Sequence, residues 1–263
     1  MIQRILPRKP AGRPRARARR ASRILLAVTA MGALLGLDLP QAGAASPLGV
    51  TEGAPADAEA GRVGALFAGG LDGGHFCTAS VVRSLGHDLI ATAAHCLDHP
   101  DTTLFAPGYR DGAAPYGLWR LTRVYAAPGW TDGQDPDDDI AFAKVAPADA
   151  GESRAVEDVV GGFPVAAAQP ADVTVTVLGY PSVLDAPLRC SNATSLFSPT
   201  QRRIDCPDLS GGTSGSPWLA GGALAGVLGG YEAGGDVPEV SYSAVVGDQA
   251  MALYCEAAGV ARR

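Results

Sequence analysis

Short β-like segments recur along the chain, and they restrict its fold more than any other feature of the sequence. Eight of them, rich in β-branched and apolar residues, are separated by clusters of glycine, proline and aspartate: RVGALF, FCTASVV, DLIATA, LWRLTRVYA, DIAFAKV, DVTVTVLGY, ALAGVLGG and EVSYSAVV. Short strands at such regular spacing are typical of an all-β barrel or sandwich. Persuasive helical spacing occurs from about Asp248 to Ala258, so we expect a short C-terminal helix.

The first 44 residues have the organisation of a secretory signal peptide. Eight arginines and one lysine in the first 23 residues precede an apolar run, Ile24 to Leu37, and the small residues Ala42 and Ala44 follow. A membrane anchor is the alternative, but this run of 14 residues is shorter than the roughly 20 that a span needs. We therefore predict cleavage near Ala44 and a secreted, extracellular protein.

The predicted mature chain is strongly acidic. The whole chain has 21 Lys and Arg against 27 Asp and Glu, a net charge of −6. Residues 1–44 hold nine of the basic residues and one of the acidic ones, which leaves 12 and 26 and a net charge of −14. Such a surface repels nucleic acids and anionic lipids, so neither nucleic acid nor membrane is an expected partner once the signal is removed.

The positions of the histidines decide which hydrolytic chemistry is open to the chain. All four precede the segment GGTSGSPW, Gly211 to Trp218: His75, His87, His95 and His99. An α/β-hydrolase needs its histidine after the nucleophilic serine, so that class is excluded. The order that remains is histidine, aspartate, serine.

Three residues fit this order. His95 follows a β-like run in IATAAHCL, Asp139 opens the strand DIAFAKV, and Ser214 lies in GGTSGSP. A neutral imidazole takes the proton of a serine hydroxyl and returns it to the leaving group, while a carboxylate holds the imidazole in the required tautomer. We therefore assign Ser214 as the nucleophile, His95 as general base and acid, and Asp139 as the group that orients His95. The other acidic residues of this loop are interpreted as solvated charges or, alternatively, as a calcium loop: Asp135, Asp137 and Asp138.

Four motifs in a shared order carry a resemblance to a known family: HFCTASVV at 75–82, TAAHC at 92–96, DIAF at 139–142 and GTSGSP at 212–217. Over about residues 62–246 the chain resembles the chymotrypsin-like, or trypsin-fold, serine proteases, and it looks most like their secreted bacterial members. The resemblance implies an all-β fold of two antiparallel six-stranded Greek-key β-barrels with the site between them. It also implies a monomeric serine endopeptidase that cleaves polypeptide substrates through an acyl-enzyme and needs no cofactor. A catalytically silent binding protein and an ester-biased hydrolase of the same fold are the alternatives.

The resemblance and the composition together define four expected segments. Residues 1–44 are the signal peptide, and residues 45–60, which are small, polar and contain Pro and Gly, form an extended N-terminal segment. Residues 61–150 form the first β-barrel, with His95 and Asp139. Residues 151–263 form the second β-barrel, with Ser214 and the C-terminal helix.

Five cysteines in an exported chain predict disulfide bonds with one thiol left over. The resemblance implies a Cys77–Cys96 bond, and Cys190 and Cys206 would close a 16-residue interval ahead of the nucleophile turn. Cys255 is then unpaired, although an intermolecular bond or a Cys206–Cys255 pair stays open. The alternative is a metal site, which we do not expect because adjacent ligands have unusual spacing for zinc; its ligands would be His75, Cys77, His95 and Cys96.

The glycines around Ser214 suit an oxyanion hole. A developing oxyanion needs two backbone N–H donors, and a tight turn with glycine two residues before the nucleophile delivers them. We expect these donors to be Gly212 and Ser214. Ser216 precedes Pro217, which favours an extended conformation, so we expect Ser216 to begin the next strand rather than to react.

The residue before the nucleophile departs from the family's pattern. Trypsin-like members carry an aspartate there, which pairs with a new N-terminus freed by cleavage, whereas this chain has Thr213 and no IVGG-type N-terminus. That ion pair therefore cannot form. We predict that activity does not depend on a free ammonium at an activation position.

The specificity pocket is the part of the site that the sequence constrains least. An ungapped count places Asp208 where trypsin-type enzymes carry a pocket-floor aspartate, which would favour Arg or Lys before the scissile bond. A surface aspartate is the alternative, because Ser210 stands where the family usually has a cysteine. The expected wall is GVLGGY, with Gly229, Gly230 and Tyr231 against the substrate. Glutamate specificity is disfavoured, since this wall contains no histidine.

Overall fold

The structure, a computed structural model, describes residues 47–167 and 172–261. The predicted signal peptide, residues 1–44, lies outside the described residues. Within them the α-helices are short: α1 Ala58–Gly61, α2 Pro128–Gly133, α3 Val156–Val160 and α4 Asp248–Ala258. The strands are β1 Val50–Gly53, β2 Val63–Ala68, β3 His75–Val82, β4 Leu89–Thr92, β5 Thr103–Pro107, β6 Trp119–Ala126, β7 Ala141–Pro147, β8 Thr174–Gly179, β9 Leu188–Leu196, β10 Gln201–Ile204, β11 Pro217–Ala220, β12 Ala223–Leu228 and β13 Ser241–Val245.

The first barrel is closed by six antiparallel strands in the order β2-β3-β4-β7-β6-β5. Its interior is filled by fully buried apolar side chains such as Leu66, Ile90 and Phe142. Strand β4 pairs with β7 so that Thr92 lies opposite Ala141. The chain leaves β4 just before His95 and enters β7 just after Asp139, so this pairing brings the two residues to one end of the barrel.

The second barrel is closed by strands β8-β9-β10-β13-β12-β11, because β11 pairs back to β8. Its core includes Val177, Ile204 and Trp218. Ser214 lies in the turn just ahead of β11. The prediction of an all-β fold with two six-stranded barrels and a short C-terminal helix is confirmed.

The two barrels are joined by a segment that contacts both. Phe163 forms a parallel bridge with Val82 of β3, and Val165 forms one with Leu224 of β12. This segment lies within the stretch 151–170 whose glycine and proline content suggests a connection between lobes; residues 168–171 lie outside the described residues. None of the described helices has the length and apolar character that a membrane crossing requires.

The terminal elements cross to the opposite barrel. Strand β1, from the segment 45–60 that we expected to be extended, pairs antiparallel with β9 of the second barrel, and the same segment also contains α1. Helix α4 packs on the first barrel, where the ring of Tyr254 lies 5.6 Å from that of Phe142 and its hydroxyl donates to the Arg83 carbonyl at 2.8 Å. Strand β1 therefore covers part of the second barrel, and helix α4 covers part of the first. These contacts could not be predicted from the boundaries of the segments along the chain.

Candidate active site

A buried carboxylate holds His95 from two directions. Asp139 is fully buried. Its Oδ1 accepts a hydrogen bond from the His95 backbone N–H at 3.0 Å, and its Oδ2 accepts one from His95 Nδ1 at 2.8 Å. Because the carboxylate is the acceptor, the imidazole proton is on Nδ1 and Nε2 is free to take another. The arrangement therefore suits a histidine that acts as a base.

A third donor completes the environment of Asp139. The backbone N–H of Gly230 donates to Asp139 Oδ2 at 2.8 Å. The carboxylate thus receives three N–H donors from two parts of the chain. A Cβ atom at Gly229 would lie 2.7 Å from Oδ2, so the absence of a side chain lets the wall strand approach the carboxylate.

The turn that carries Ser214 packs against the end of β4. The Ser214 carbonyl accepts a hydrogen bond from the Thr78 N–H at 2.8 Å. Gly215 has a φ of 83°, and a Cβ atom there would collide with the Thr92 hydroxyl, three residues before His95. The nucleophile turn and the histidine turn are therefore neighbours across the cleft.

Two backbone N–H groups of this turn point to no protein acceptor. Among the described residues, neither the Gly212 N–H nor the Ser214 N–H donates a hydrogen bond. Gly212 has a φ of 96°, and a Cβ atom there would collide with Tyr180 and Ser182. Free N–H groups at these positions are the arrangement that an oxyanion hole requires.

The two serines of the turn differ in accessibility. Ser216 is fully buried and its hydroxyl donates to the Thr213 carbonyl at 2.6 Å, so it is not available to a substrate. Ser214 is partly exposed. Its hydroxyl donates to the Ala233 carbonyl at 3.4 Å, and no hydrogen bond joins it to His95 among the described residues. Ser214 is thus the accessible hydroxyl of the turn, and its rotamer points towards the Ala233 carbonyl.

Thr213 takes part in the turn as a neutral residue. It is buried, and its hydroxyl donates to the Ser210 carbonyl at 2.7 Å. In the described chain the N-terminal residues lie on β9 instead of entering this turn. The turn is therefore closed by a hydrogen bond within itself.

Disulfide bonds brace both sides of the cleft. Cys77 is bonded to Cys96, next to His95, and Cys190 is bonded to Cys206; Cys255 is a free thiol. The sulfur atoms of the first pair and His95 form the one group of potential metal ligands in the described residues. Because these sulfurs are bonded to each other, they are not thiolates that could hold zinc.

The acidic loop before Asp139 is a separate environment. Asp135, Asp137 and Asp138 lie in or beside a short 3₁₀ turn, and Asp137 accepts a hydrogen bond from Gln201 Nε2 at 2.7 Å. Burial raises the pKa of Asp138, and the nearby Asp135 and Asp137 raise it further. Within the described residues, their ligand atoms do not cluster closely enough to form a candidate metal site.

A cavity of about 620 Å³ opens beside Ser214. Most of its wall is apolar, and two exposed carboxylates, Asp208 and Asp236, also line it. Of the four residues expected to form the pocket, only Asp208 lines this cavity. Leu228 of the expected wall also lines it.

The other three expected pocket residues lie towards Asp139. Gly229 and Gly230 pack against the Asp139 carboxylate, as described above. The N–H of Tyr231 donates to Gln201 Oε1 at 2.7 Å, and its ring contacts those of Phe197 and Tyr242. A hydrogen bond with Glu232 raises the pKa of Tyr231. Glu232 and Ala233 then both adopt left-handed backbone conformations, and the chain lines the cavity again from Ala233 to Pro238.

Two further residues contribute to the site without a signal in the sequence. The Trp130 ring of α2 lies 6.3 Å from the His95 ring and is tilted by 50° to it. The Thr78 hydroxyl donates to the Gly212 carbonyl at 3.0 Å and so ties the first barrel to the nucleophile turn. Neither contact follows from local spacing, because both depend on the packing of the two barrels.

Comparisons with known proteins show the family to which this fold belongs. The family model described as Trypsin matches residues 50–243. Among solved structures, protease Anisep from Arthrobacter nicotinovorans is 26% identical, with a TM-score of 0.67 over 80% of this chain and 100% of that one. The thermostable serine protease AL20 from an extremophilic microorganism is 27% identical, with a TM-score of 0.66 over 78% and 100%.

A more distant similarity concerns the fold alone. A Glu endopeptidase solved in complex with MPD is 16% identical, with a TM-score of 0.64 over 80% of this chain and 96% of that one. No curated protein matches the chain. Since the Trypsin model covers well over half of the sequence and both barrels, the chain belongs to the trypsin family and is a chymotrypsin-like serine endopeptidase.

Proposed function

We propose that the protein is a secreted endopeptidase that cleaves peptide bonds with His95, Asp139 and Ser214. The observation that carries this proposal is the buried Asp139 carboxylate, which holds His95 Nδ1 at 2.8 Å and leaves Nε2 as a proton acceptor. Secretion is supported by the basic and apolar pattern of residues 1–44 and by two disulfide bonds, which persist in oxidising surroundings.

The reaction proceeds in two steps. The Ser214 hydroxyl rotates from the Ala233 carbonyl to His95 Nε2, gives up its proton and attacks the scissile carbonyl carbon. The oxyanion forms against the N–H groups of Gly212 and Ser214. His95 then protonates the departing amine, and an acyl ester remains on Ser214. Water, deprotonated by His95, cleaves this ester and regenerates the hydroxyl.

The rotation of Ser214 is compatible with a free enzyme. Catalytic hydrogen bonds are often long or misaligned without substrate and tighten in the complex. The 3.4 Å bond to Ala233 is weak, so the hydroxyl loses little when it turns. Asp139 keeps the imidazole in place throughout.

A fluorophosphonate probe tests the nucleophile. We expect the folded protein to be labelled at Ser214, with the adduct located by mass spectrometry, and the Ser214→Ala variant to stay unlabelled. Ser195→Ala, which removes an exposed hydroxyl on β9, is the matched control and should retain labelling. An unlabelled wild-type protein would favour a silent binding protein of this fold. A fast ester hydrolysis with no peptide cleavage would favour the ester-biased alternative.

We further propose that Asp208 selects Arg or Lys before the scissile bond. It supplies a carboxylate to a mostly apolar cavity beside Ser214, which suits a long side chain with a cationic end. Two peptides that differ only in Arg or citrulline test this, since citrulline keeps the shape and removes the charge.

The Asp208→Asn variant should lower kcat/KM for the Arg peptide by about 10- to 100-fold, the range for a hydrogen bond to a charged group, and leave the citrulline peptide unchanged. Asp101→Asn removes the same charge from an exposed turn and should change neither rate. An equal loss in both variants would point to net charge instead of a pocket contact.

A further inference from the structure

The N-terminal strand lies on the outer side of the specificity pocket. Strand β1 pairs with β9 from Val50 opposite Ser191 to Gly53 opposite Leu188, and Leu188 lines the cavity. The Gly49 N–H donates to the Asp205 carbonyl at 2.8 Å. This segment therefore contacts β9, which begins at the cavity with Leu188, and the stretch from Asp205 that leads to Asp208.

The strand is seated closely. A Cβ atom at Gly49 would lie 2.6 Å from Cys190 Sγ and 3.0 Å from Cys206 Sγ, so the backbone rests on the disulfide. The Asn192 side-chain amide donates to the carbonyls of Pro47 and Asp205, each at 2.9 Å. The N-terminal segment thus contacts β9 and the Cys190–Cys206 disulfide through its backbone and through the Asn192 side chain.

One contact reaches the peptide bond before Asp208. The Thr51 hydroxyl donates to the Pro207 carbonyl at 2.5 Å. On the other side of the same peptide plane, the Asp208 N–H donates to the Pro238 carbonyl at 3.1 Å. The plane is held at both ends, and its orientation determines the backbone conformation of the next residue.

That conformation is an unfavourable one. Asp208 has a φ of 66°, in the left-handed region that few residues other than glycine adopt. Non-glycine residues persist there when the surrounding structure over-determines them. Two hydrogen bonds on one peptide plane supply such a constraint.

We propose that Thr51 is a positioning residue for the pocket: it holds the Pro207–Asp208 peptide plane and so aims the Asp208 carboxylate into the cavity. The N-terminal strand then sets charge selectivity by backbone geometry, without an N-terminal ammonium. This proposal rests on the proposed function of Asp208.

Selectivity between the Arg and citrulline peptides tests the proposal. Thr51→Val removes the hydroxyl and keeps a β-branched residue that favours a strand. We expect the ratio of the two kcat/KM values to fall about 3- to 10-fold, the effect of one neutral hydrogen bond. Thr51→Ser keeps the hydroxyl and should restore the wild-type ratio. The change should appear in KM for the Arg peptide, with kcat within about 2-fold.

The matched control is Thr122→Val in the first barrel. Thr122 is exposed on β6 and donates its hydroxyl to the Lys144 carbonyl at 3.1 Å, so it loses the same kind of bond away from the pocket. We expect its Tm to fall as much as that of Thr51→Val, with the selectivity ratio unchanged.

Each outcome has a separate meaning. An unchanged ratio in Thr51→Val, or a Thr51→Ser variant that behaves like it, overturns the positioning role and leaves the endopeptidase intact. A wild-type ratio near unity overturns the role of Asp208 and, with it, that of Thr51. A wild-type protein that cleaves neither peptide but is labelled by the fluorophosphonate probe overturns the role of Asp208. One that cleaves neither peptide and stays unlabelled overturns the proposed function itself.

Discussion

The two sides of the cleft are held in different ways. On the first-barrel side, Asp139 is fully buried and receives three N–H donors, and a disulfide lies next to His95. On the second-barrel side, the cavity is lined by exposed loops, and Asp208 adopts a left-handed conformation that the N-terminal strand helps to maintain.

The difference separates chemistry from selection. Proton transfer needs a fixed geometry, and a buried, fully bonded carboxylate supplies it. Side-chain recognition is built on loops, whose conformations depend on contacts from elsewhere in the chain. Changes at His95 and Asp139 should therefore lower kcat, and changes around Asp208 in the second barrel should alter KM and selectivity.

The largest effect is expected on the first-barrel side. His95→Ala should lower kcat by about 10⁶-fold, because the nucleophile loses its base. Asp139→Asn should lower it by about 10⁴-fold, because an amide favours the wrong tautomer of His95. Single-turnover kinetics measure both, and circular dichroism checks the fold. A loss below about 10-fold in either variant would contradict the assignment.

Removal of each disulfide bond should affect one side of the cleft. Cys77→Ala/Cys96→Ala and Cys190→Ala/Cys206→Ala open intervals of 19 and 16 residues, so each should cost about 3 kcal/mol of unfolding free energy. The first should lower kcat through His95. The second should lower the Arg-to-citrulline ratio through β1 and Asp208. Denaturant unfolding measures the free energies, and peptide kinetics measure kcat and the Arg-to-citrulline ratio. If both variants change the same kinetic parameter, the two sides of the cleft do not have separate roles.

A pH-dependent effect is expected outside both sides of the cleft. The Asp158 carboxylate accepts a hydrogen bond from His87 Nδ1 and so raises the pKa of His87 above its ordinary value of 6.5. The stabilisation is therefore present below pH 6.5 and is lost as the pH rises through the raised pKa. His87→Gln should lower Tm slightly at about pH 5 and leave it unchanged at about pH 9, with the kinetics unaltered. A Tm difference that grows with pH would show that the sign is wrong.

The smallest effect concerns the N-terminus. Proteins that begin at residues 45, 46 and 47 should differ in kcat by less than about 2-fold, because Thr213 is neutral and its hydroxyl is bonded within the turn. Parallel assays with one peptide measure this. A sharp dependence on one terminus would show that a free ammonium organises the site after all.

The strands and the contact between His95 and Asp139 could be predicted from the sequence. Each strand has a local pattern, and each of these two residues borders a strand in a recognisable motif. The two barrels follow from the resemblance to the family, and the order histidine, aspartate, serine excludes other arrangements.

The pocket could not be predicted to the same extent. The pairing of β1 with β9 joins residues far apart in the chain, and nothing in the segment 45–60 indicates its partner. Glu232 and Ala233 adopt left-handed conformations without glycine, so no turn signal marks where the chain returns to the cavity. Thr51 is an ordinary strand residue in the sequence and acquires its contact with Pro207 only in the folded protein.

Active-site titration with 4-nitrophenyl 4-guanidinobenzoate tests most directly whether Ser214 is the nucleophile. We predict a burst of one nitrophenolate per chain, an acyl group on Ser214 by mass spectrometry, and no burst in Ser214→Ala. An acyl group on another residue, or wild-type protein that cleaves the Arg peptide but gives no burst, would contradict it.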